Sequence, residues 1–190
     1  GELSSRPTHS KISRKHITMR WITLSWISLA LFLPACEYEA PVAAKQDLPI
    51  DSTVLGHWKF VPEKANDSRD PEEMLILKYS QTEYLIFYPS NSKSGMFFRG
   101  YPVRIGKTDC VQIQCVGTSR GNIKPEERKY HLLTYQFSEP GQIVLRILNT
   151  DLLDDDLDST EALEQAFLKH ENDPELFCQP GTFRKLSKSR

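Results

Sequence analysis

Between residues 54 and 148 the chain breaks into short alternating or β-rich runs, each ended by a turn signal. That rhythm leaves little room for a helical bundle and directs the chain towards an all-β architecture. The runs span residues 54–61, 74–79, 82–88, 95–105, 109–116, 129–138 and 142–148. Pro62 and the polar stretch 66–70 end the first, and Ser80-Gln81 is a gap of hairpin length. Pro89 to Ser94 and the stretch 117–128 are polar loops, Gly106-Lys107 is a turn, and Glu139-Pro140-Gly141 is a strong turn signal. Gly100 and Pro102 predict a bend within the longest run.

After residue 148 the period changes. Asp158-Ser159-Thr160-Glu161 offers a capping-box start, and Leu163, Ala166, Phe167 and His170 follow at helical spacing. Asp173-Pro174 stops the helix near Asn172. Residues 181–187 return as a strand. The expectation is a mainly β fold: a single antiparallel β-barrel of about eight strands, with one α-helix before the last strand. Closure into a barrel removes reactive strand edges; a β-sandwich is the other arrangement of the same strands.

In front of this domain lie the basic residues Lys11, Arg14, Lys15 and Arg20, an apolar run over 21–32, and Leu33-Pro34-Ala35-Cys36. A basic start, a short apolar core and a small residue before a cut are the parts of a secretory signal. The run falls short of the ~20 apolar residues a bilayer span needs. The whole segment resembles a bacterial lipoprotein signal peptide with its lipobox. That resemblance implies cleavage before Cys36, diacylglycerol on its thiol, and attachment to a membrane through an N-terminal lipid anchor. Glu37, where an Asp would favour inner-membrane retention, implies the outer membrane, facing the periplasm. Met19 reads as the initiator, residues 1–18 as a non-structural extension and 19–35 as the signal peptide. Residues 36–52, with Pro41 and Pro49, read as a tether reaching at most ~50 Å, and 53–190 as the domain.

Leu55-Gly56-His57-Trp58, at the first strand, resembles the G-x-W signature of lipocalins and related calycin barrels. The resemblance implies that Trp58 closes the barrel floor and that an arginine of the last strand lies across it. Arg184, in Thr182-Phe183-Arg184-Lys185, is the matching residue. Lipocalins place their helix after the last strand, whereas this chain places it before.

The chemistry-bearing residues are sparse. A net charge of −1 without clustered basic residues lacks the footprint of a nucleic-acid binder. Cys110, Cys115 and Cys178 form no C-x-x-C. Cys110 and Cys115 lie five positions apart and face opposite sides of a strand, so a disulfide, which export permits, would join Cys178 to Cys110 or to Cys115; three buried free thiols are the alternative. His57, His131 and His170 have no metal-ligand spacing. The acids Asp151, Asp154, Asp155, Asp156 and Asp158 miss the calcium-loop pattern, which puts Gln165 where glutamate is needed. Ser90-Asn91-Ser92-Lys93 spells S-x-x-K without its partner motifs.

No catalytic residue, metal or cofactor is assigned. Strands 84–88 and 95–101 are apolar on both faces. Either Leu163 and Phe167 of the helix cover the second face, or it binds something. Gly56, Trp58 and Phe60 point inward. With Phe87 or Tyr88 and Phe97 or Phe98 they crowd the interior, leaving a cavity below the ~300 Å³ of a ligand site. The expected function is a non-catalytic interaction or structural role. Carriage of a small hydrophobic ligand is the alternative, and an unrecognised hydrolase the third.

Overall fold

The structure, a computed structural model, describes residues 38–62, 71–153 and 157–187. Cys36, the signal segment, the stretch 66–70 and Asp154 to Asp156 lie outside the described residues. The strands are β1 Gly56–Phe60, β2 Glu73–Lys78, β3 Tyr84–Tyr88, β4 Met96–Ile105, β5 Thr108–Thr118, β6 Gly121–Asn122, β7 Tyr130–Glu139, β8 Gln142–Leu148 and β9 Phe177–Lys185. One helix, α1 Thr160–His170, enters before β9. Every pairing is antiparallel, and the order runs β1-β2-β3-β4-β5-β7-β8-β9 and back to β1. The result is a closed eight-stranded barrel, with the two-residue β6 appended to the end of β5.

Closure sorts the side chains by the two-residue period of a strand. Trp58, Ile86, Phe98 and Phe183 fall on the inner face, following the register around the wall. Tyr88 and Phe183 belong to strands three apart in the wall, yet their ring centroids lie 6.1 Å apart. They meet inside the barrel. Of the two aromatic pairs the sequence left open, Tyr88 and Phe98 turn inward, and Phe87 and Phe97 turn out.

A second core lies outside the barrel. Ser159 caps α1, its hydroxyl accepting from the Ala162 amide at 3.3 Å, and basic Lys169 and His170 occupy the last turn. The helix buries Leu163 and Phe167 against the outward residues Tyr101, Val103, Ile105, Leu132 and Leu148. Phe167 also meets Phe177 edge-on at 6.1 Å.

The same outer core corrects the reading of residues 36–52 as a tether. Tyr38, Val42 and Ala43 are buried in it. Tyr38 exchanges backbone hydrogen bonds with Tyr130 at 3.0 and 2.8 Å. Gln112, fully buried on the outward face of β5, accepts from the Ala43 amide at 3.0 Å and donates to its carbonyl at 3.5 Å. A buried side-chain amide is costly unless both its ends are satisfied, and a passing backbone satisfies both. The chain then crosses to the barrel end, where the Ile50 amide donates to the Gln81 carbonyl at 3.0 Å.

Two element bounds and the position of one irregularity differ from expectation. Val54 ends a 3-10 turn, Ser52–Val54, rather than opening the first strand, because the Asp51 carboxylate accepts from the Thr53 amide and winds the segment. The irregularity of β4 falls between Phe97 and Phe98, not at Gly100 or Pro102. Strand β9 starts at Phe177 rather than 181, with a register shift opposite Leu145/Ile147 and Gln179 at φ 51°.

Because Phe167 is the largest helical side chain in the outer core, Phe167→Ala should cost about 3–5 kcal/mol of unfolding free energy. Urea titration followed by circular dichroism measures it. The barrel signal should persist below the transition.

Candidate functional site

Two features stand out: the floor of the barrel and an outward aromatic face. The floor is built on Trp58, fully buried, whose indole N–H donates to the Val54 carbonyl at 2.8 Å. The cation over its ring is Lys185, with Nζ 5.0 Å from the ring centroid and donating to the Thr53 carbonyl at 2.8 Å. This corrects the assignment of Arg184. In the β1–β9 register Trp58 faces Lys185, while Arg184 faces Lys59. Phe183 and Lys185 share the inner face, so Arg184 points to solvent and donates to Gln142 Oε1 at 3.3 Å.

Gly56 makes room for the lysine. It sits at φ 137°, which disfavours L side chains, and a Cβ there would lie 2.8 Å from Lys185 Cε. The Gly56–Trp58 spacing thus lets a cation pass one residue and cover the next.

Asp51 completes the floor. Its carboxylate accepts from the Thr53 amide and hydroxyl at 2.8 and 2.6 Å and from the Tyr135 hydroxyl at 2.9 Å. Its own amide donates to the Tyr84 hydroxyl at 2.6 Å. Partial burial pushes the carboxyl pKa up, but the Thr53 and Tyr135 hydrogen bonds and the nearby Lys185 outweigh it and hold the group below its usual range. Burial, then the bond to Asp51, pushes Tyr135 upward. Asp51 stays ionised and Tyr135 keeps its proton, and together with Tyr84 they tie the loop before β1 to β3 and β7.

The hydrolase alternative meets one constellation. His57 Nε2 lies 2.8 Å from Glu73 Oε2 and 3.4 Å from Ser90 Oγ. A relay needs the acid and the hydroxyl on different ring nitrogens. Here both address the same one, so the arrangement is a contact of His57 with Glu73 beside Ser90, the serine of the S-x-x-K tetrapeptide.

The expected disulfide is also corrected. Cys110, Cys115 and Cys178 form no bridge among the described residues. Cys178 on β9 and both others on β5 are separated by β8 and β7, about 14 Å along the wall at ~4.8 Å per strand. Bridged Cα atoms lie within ~7 Å. Burial, then nearby Asp109, pushes the Cys110 thiol up to about 12. No group of His, Cys, Asp and Glu fit to hold a metal occurs among the described residues.

The outward face of β2, β3 and the first half of β4 carries Leu75, Leu77, Leu85, Phe87 and Phe97. The helix lies instead over the second half of β4, so Leu163 and Phe167 cover Tyr101, Val103 and Ile105. The Phe87 and Phe97 rings stack at 4.4 Å and 8°. Gly95 admits this, since a Cβ there would lie 2.4 Å from the Phe87 ring. Arg99 pairs with Glu83, and its guanidinium carbon stands 4.9 Å from the Tyr79 ring and 5.4 Å from the Tyr101 ring. Leu77 is 44% and Tyr79 60% exposed. Sequence reasoning found the two-faced apolar strands, but not which half of β4 the helix would choose.

Compared with known proteins, the chain matches no family model, no curated protein and no solved structure.

Lys185→Ala should lower stability by about 0.5–2 kcal/mol, the range of a cation over an indole. Arg184→Ala should stay within ~0.5 kcal/mol of the parent. Paired thermal melts separate the two. The depressed Asp51 carboxyl stabilises the fold fully above the unfolded value of ~3.9, and that contribution is lost as pH falls through the folded value. Asp51→Asn should therefore flatten this part of the acid limb in a stability-versus-pH series.

Proposed function

We propose that this chain is an exported lipoprotein. In this reading it is cleaved before Cys36, held by acyl chains on that residue, and placed on the periplasmic side of the outer membrane. The barrel then acts without catalysis, in an interaction or structural role at the envelope. The order of basic residues, apolar run and Leu33-Pro34-Ala35-Cys36 supports the address. The lipocalin-like signature of Gly56 and Trp58 is read as a floor-closing device rather than as a mark of ligand carriage.

The observation that carries the non-catalytic reading is the division between the two barrel faces. Inside, the bulky side chains of Trp58, Tyr84, Ile143 and Phe183 are buried and take up part of the bore. An eight-stranded barrel is just wide enough to be filled this way or to hold one ligand. Outside, Leu75, Leu77, Leu85, Phe87 and Phe97 form an apolar face that α1 leaves uncovered. Contiguous apolar surface of this kind marks interaction sites.

Metabolic labelling with a radioactive fatty acid tests the anchor. The parent should take up label and sediment with membranes, while Cys36→Ser should do neither. Label persisting in Cys36→Ser refutes the assignment. Native mass spectrometry of the delipidated domain tests the role, and a stoichiometric lipid retained in the bore would favour ligand carriage instead.

A further inference from the structure

We infer that residues 38–50 are a strap that sets how far the barrel stands from its membrane, with Gln112 as the residue that seats it. This role rests on the lipid-anchor reading of Cys36. Tyr38 is bonded to Tyr130, the first residue of β7, in both directions. Only Glu37 stands between it and Cys36. Two residues reach at most ~7 Å. A strap detached as far as Ile50 would instead be a coil with an end-to-end distance of about 20 Å. Seated, the strap holds the barrel at the headgroup layer. The partner that an interaction role at the envelope requires then lies at that membrane surface, not across the periplasm.

Gln112 gives the seat a register. Tyr101 and Leu132 flank it on the neighbouring strands, and both belong to the outer core. An apolar residue would pack there without needing a partner, whereas a buried amide is costly unless both its ends are satisfied. Ala43 satisfies both. In an extended segment the N–H and C=O of one residue point to the same side, as in a hydrogen-bonded antiparallel pair. The side-chain amide offers the matching acceptor and donor, so Gln112 takes the part of one residue of a partner strand. With Ala43 held there, Val42 is fully buried in the outer core and Tyr38 arrives beside Tyr130. Among the described residues, the backbone of 38–50 is otherwise bonded to the barrel only at Tyr38 and Ile50. Loss of the middle attachment leaves Tyr38 a single isolated bridge. Ala44, Lys45, Asp47 and Pro49 are exposed, as in segments that open locally while a core stays folded.

Neutron reflectometry on the full, acylated protein in a supported phosphatidylethanolamine–phosphatidylglycerol bilayer tests this. Val42→Asp unseats the strap from its own side and leaves the barrel wall untouched. Gln112→Leu unseats it from the wall. A Gly-Ser insertion of about ten residues between Glu37 and Tyr38 lengthens the link while the strap stays seated. Exchange of the Ala43 amide reports seating, and thermal melts report that the barrel is folded.

In the parent, protein density should begin at the headgroups. The insertion should move it outward by about 17 Å, the coil length of the insert, and Val42→Asp and Gln112→Leu by about 20 Å, both with fast exchange at Ala43. A water layer of that thickness beneath the parent overturns the inference and leaves the anchor standing. So does an insertion variant, or a Val42→Asp protein with Ala43 freed, that stays at the headgroups, because a face of the barrel itself then holds it down. Slow exchange at Ala43 in folded Gln112→Leu overturns the part given to Gln112. Absence of acylation in the parent removes the anchor reading and the strap's role together.

Discussion

The structure depends on the seam between its first and last strands. Seven of the eight barrel pairings join strands that follow one another in the chain or are separated only by the short β6 segment. The eighth joins β1 to β9 through three residue pairs, Trp58–Lys185, Lys59–Arg184 and Phe60–Phe183. Flanking amides extend it at both ends: Val61 donates to Thr182 and Leu186 to His57, at 2.8 and 2.7 Å. Without this seam the sheet would have two open edges and the inner face would be wet. Side chains reinforce it. Phe60 meets Phe183 edge-on at 5.5 Å within it, and Lys185 reaches past Gly56 to cover Trp58 and bind Thr53. Closure, floor and loop 50–54 are one physical unit.

The second core gives the molecule a sidedness that a plain barrel lacks. The second half of β4, β5 at Cys110 and Gln112, Leu132 of β7 and Leu148 of β8 are packed from outside by α1 and residues 38–43 as well as from the bore. Among the described residues, no element packs on the outward face of β2 and β3 as α1 does on the second half of β4. That asymmetry separates a buttressed side of the barrel from an apolar, uncovered side. It also places the start of the described chain within the buttressed side, where Tyr38 pairs with Tyr130.

Much of this was legible in the sequence because strands and caps leave local signals. The period-two runs, Glu139-Pro140-Gly141 and the Ser159 cap each announce an element within a few residues, and Trp58 announced the floor. What was illegible depends on register between distant segments. Arg184 and Lys185 are adjacent cations, and only the offset of β9 against β1 decides which one faces the indole. Cys178 and Cys110 look compatible until the barrel order inserts β7 and β8 between their strands. Docking of residues 38–43 carries no periodic pattern of its own. Its signal was Gln112, a polar side chain among apolar neighbours at Val111 and Ile113, and its partner backbone lies 69 positions away. The outward face of β3 was visible as an apolar excess, but the helix position that leaves it bare is a tertiary choice.

Native-state amide hydrogen exchange tests the central claim that the β1–β9 seam holds the barrel closed. The Val61 and Leu186 amides bridge the seam, while those of Leu132 and Ile143 sit within the wall. If the seam is as cooperative as the wall, all four amides exchange only through global unfolding, with the same opening free energy. Faster exchange at Val61 and Leu186, through an opening that leaves Leu132 and Ile143 protected, would contradict the account and show a barrel that unzips between its first and last strands.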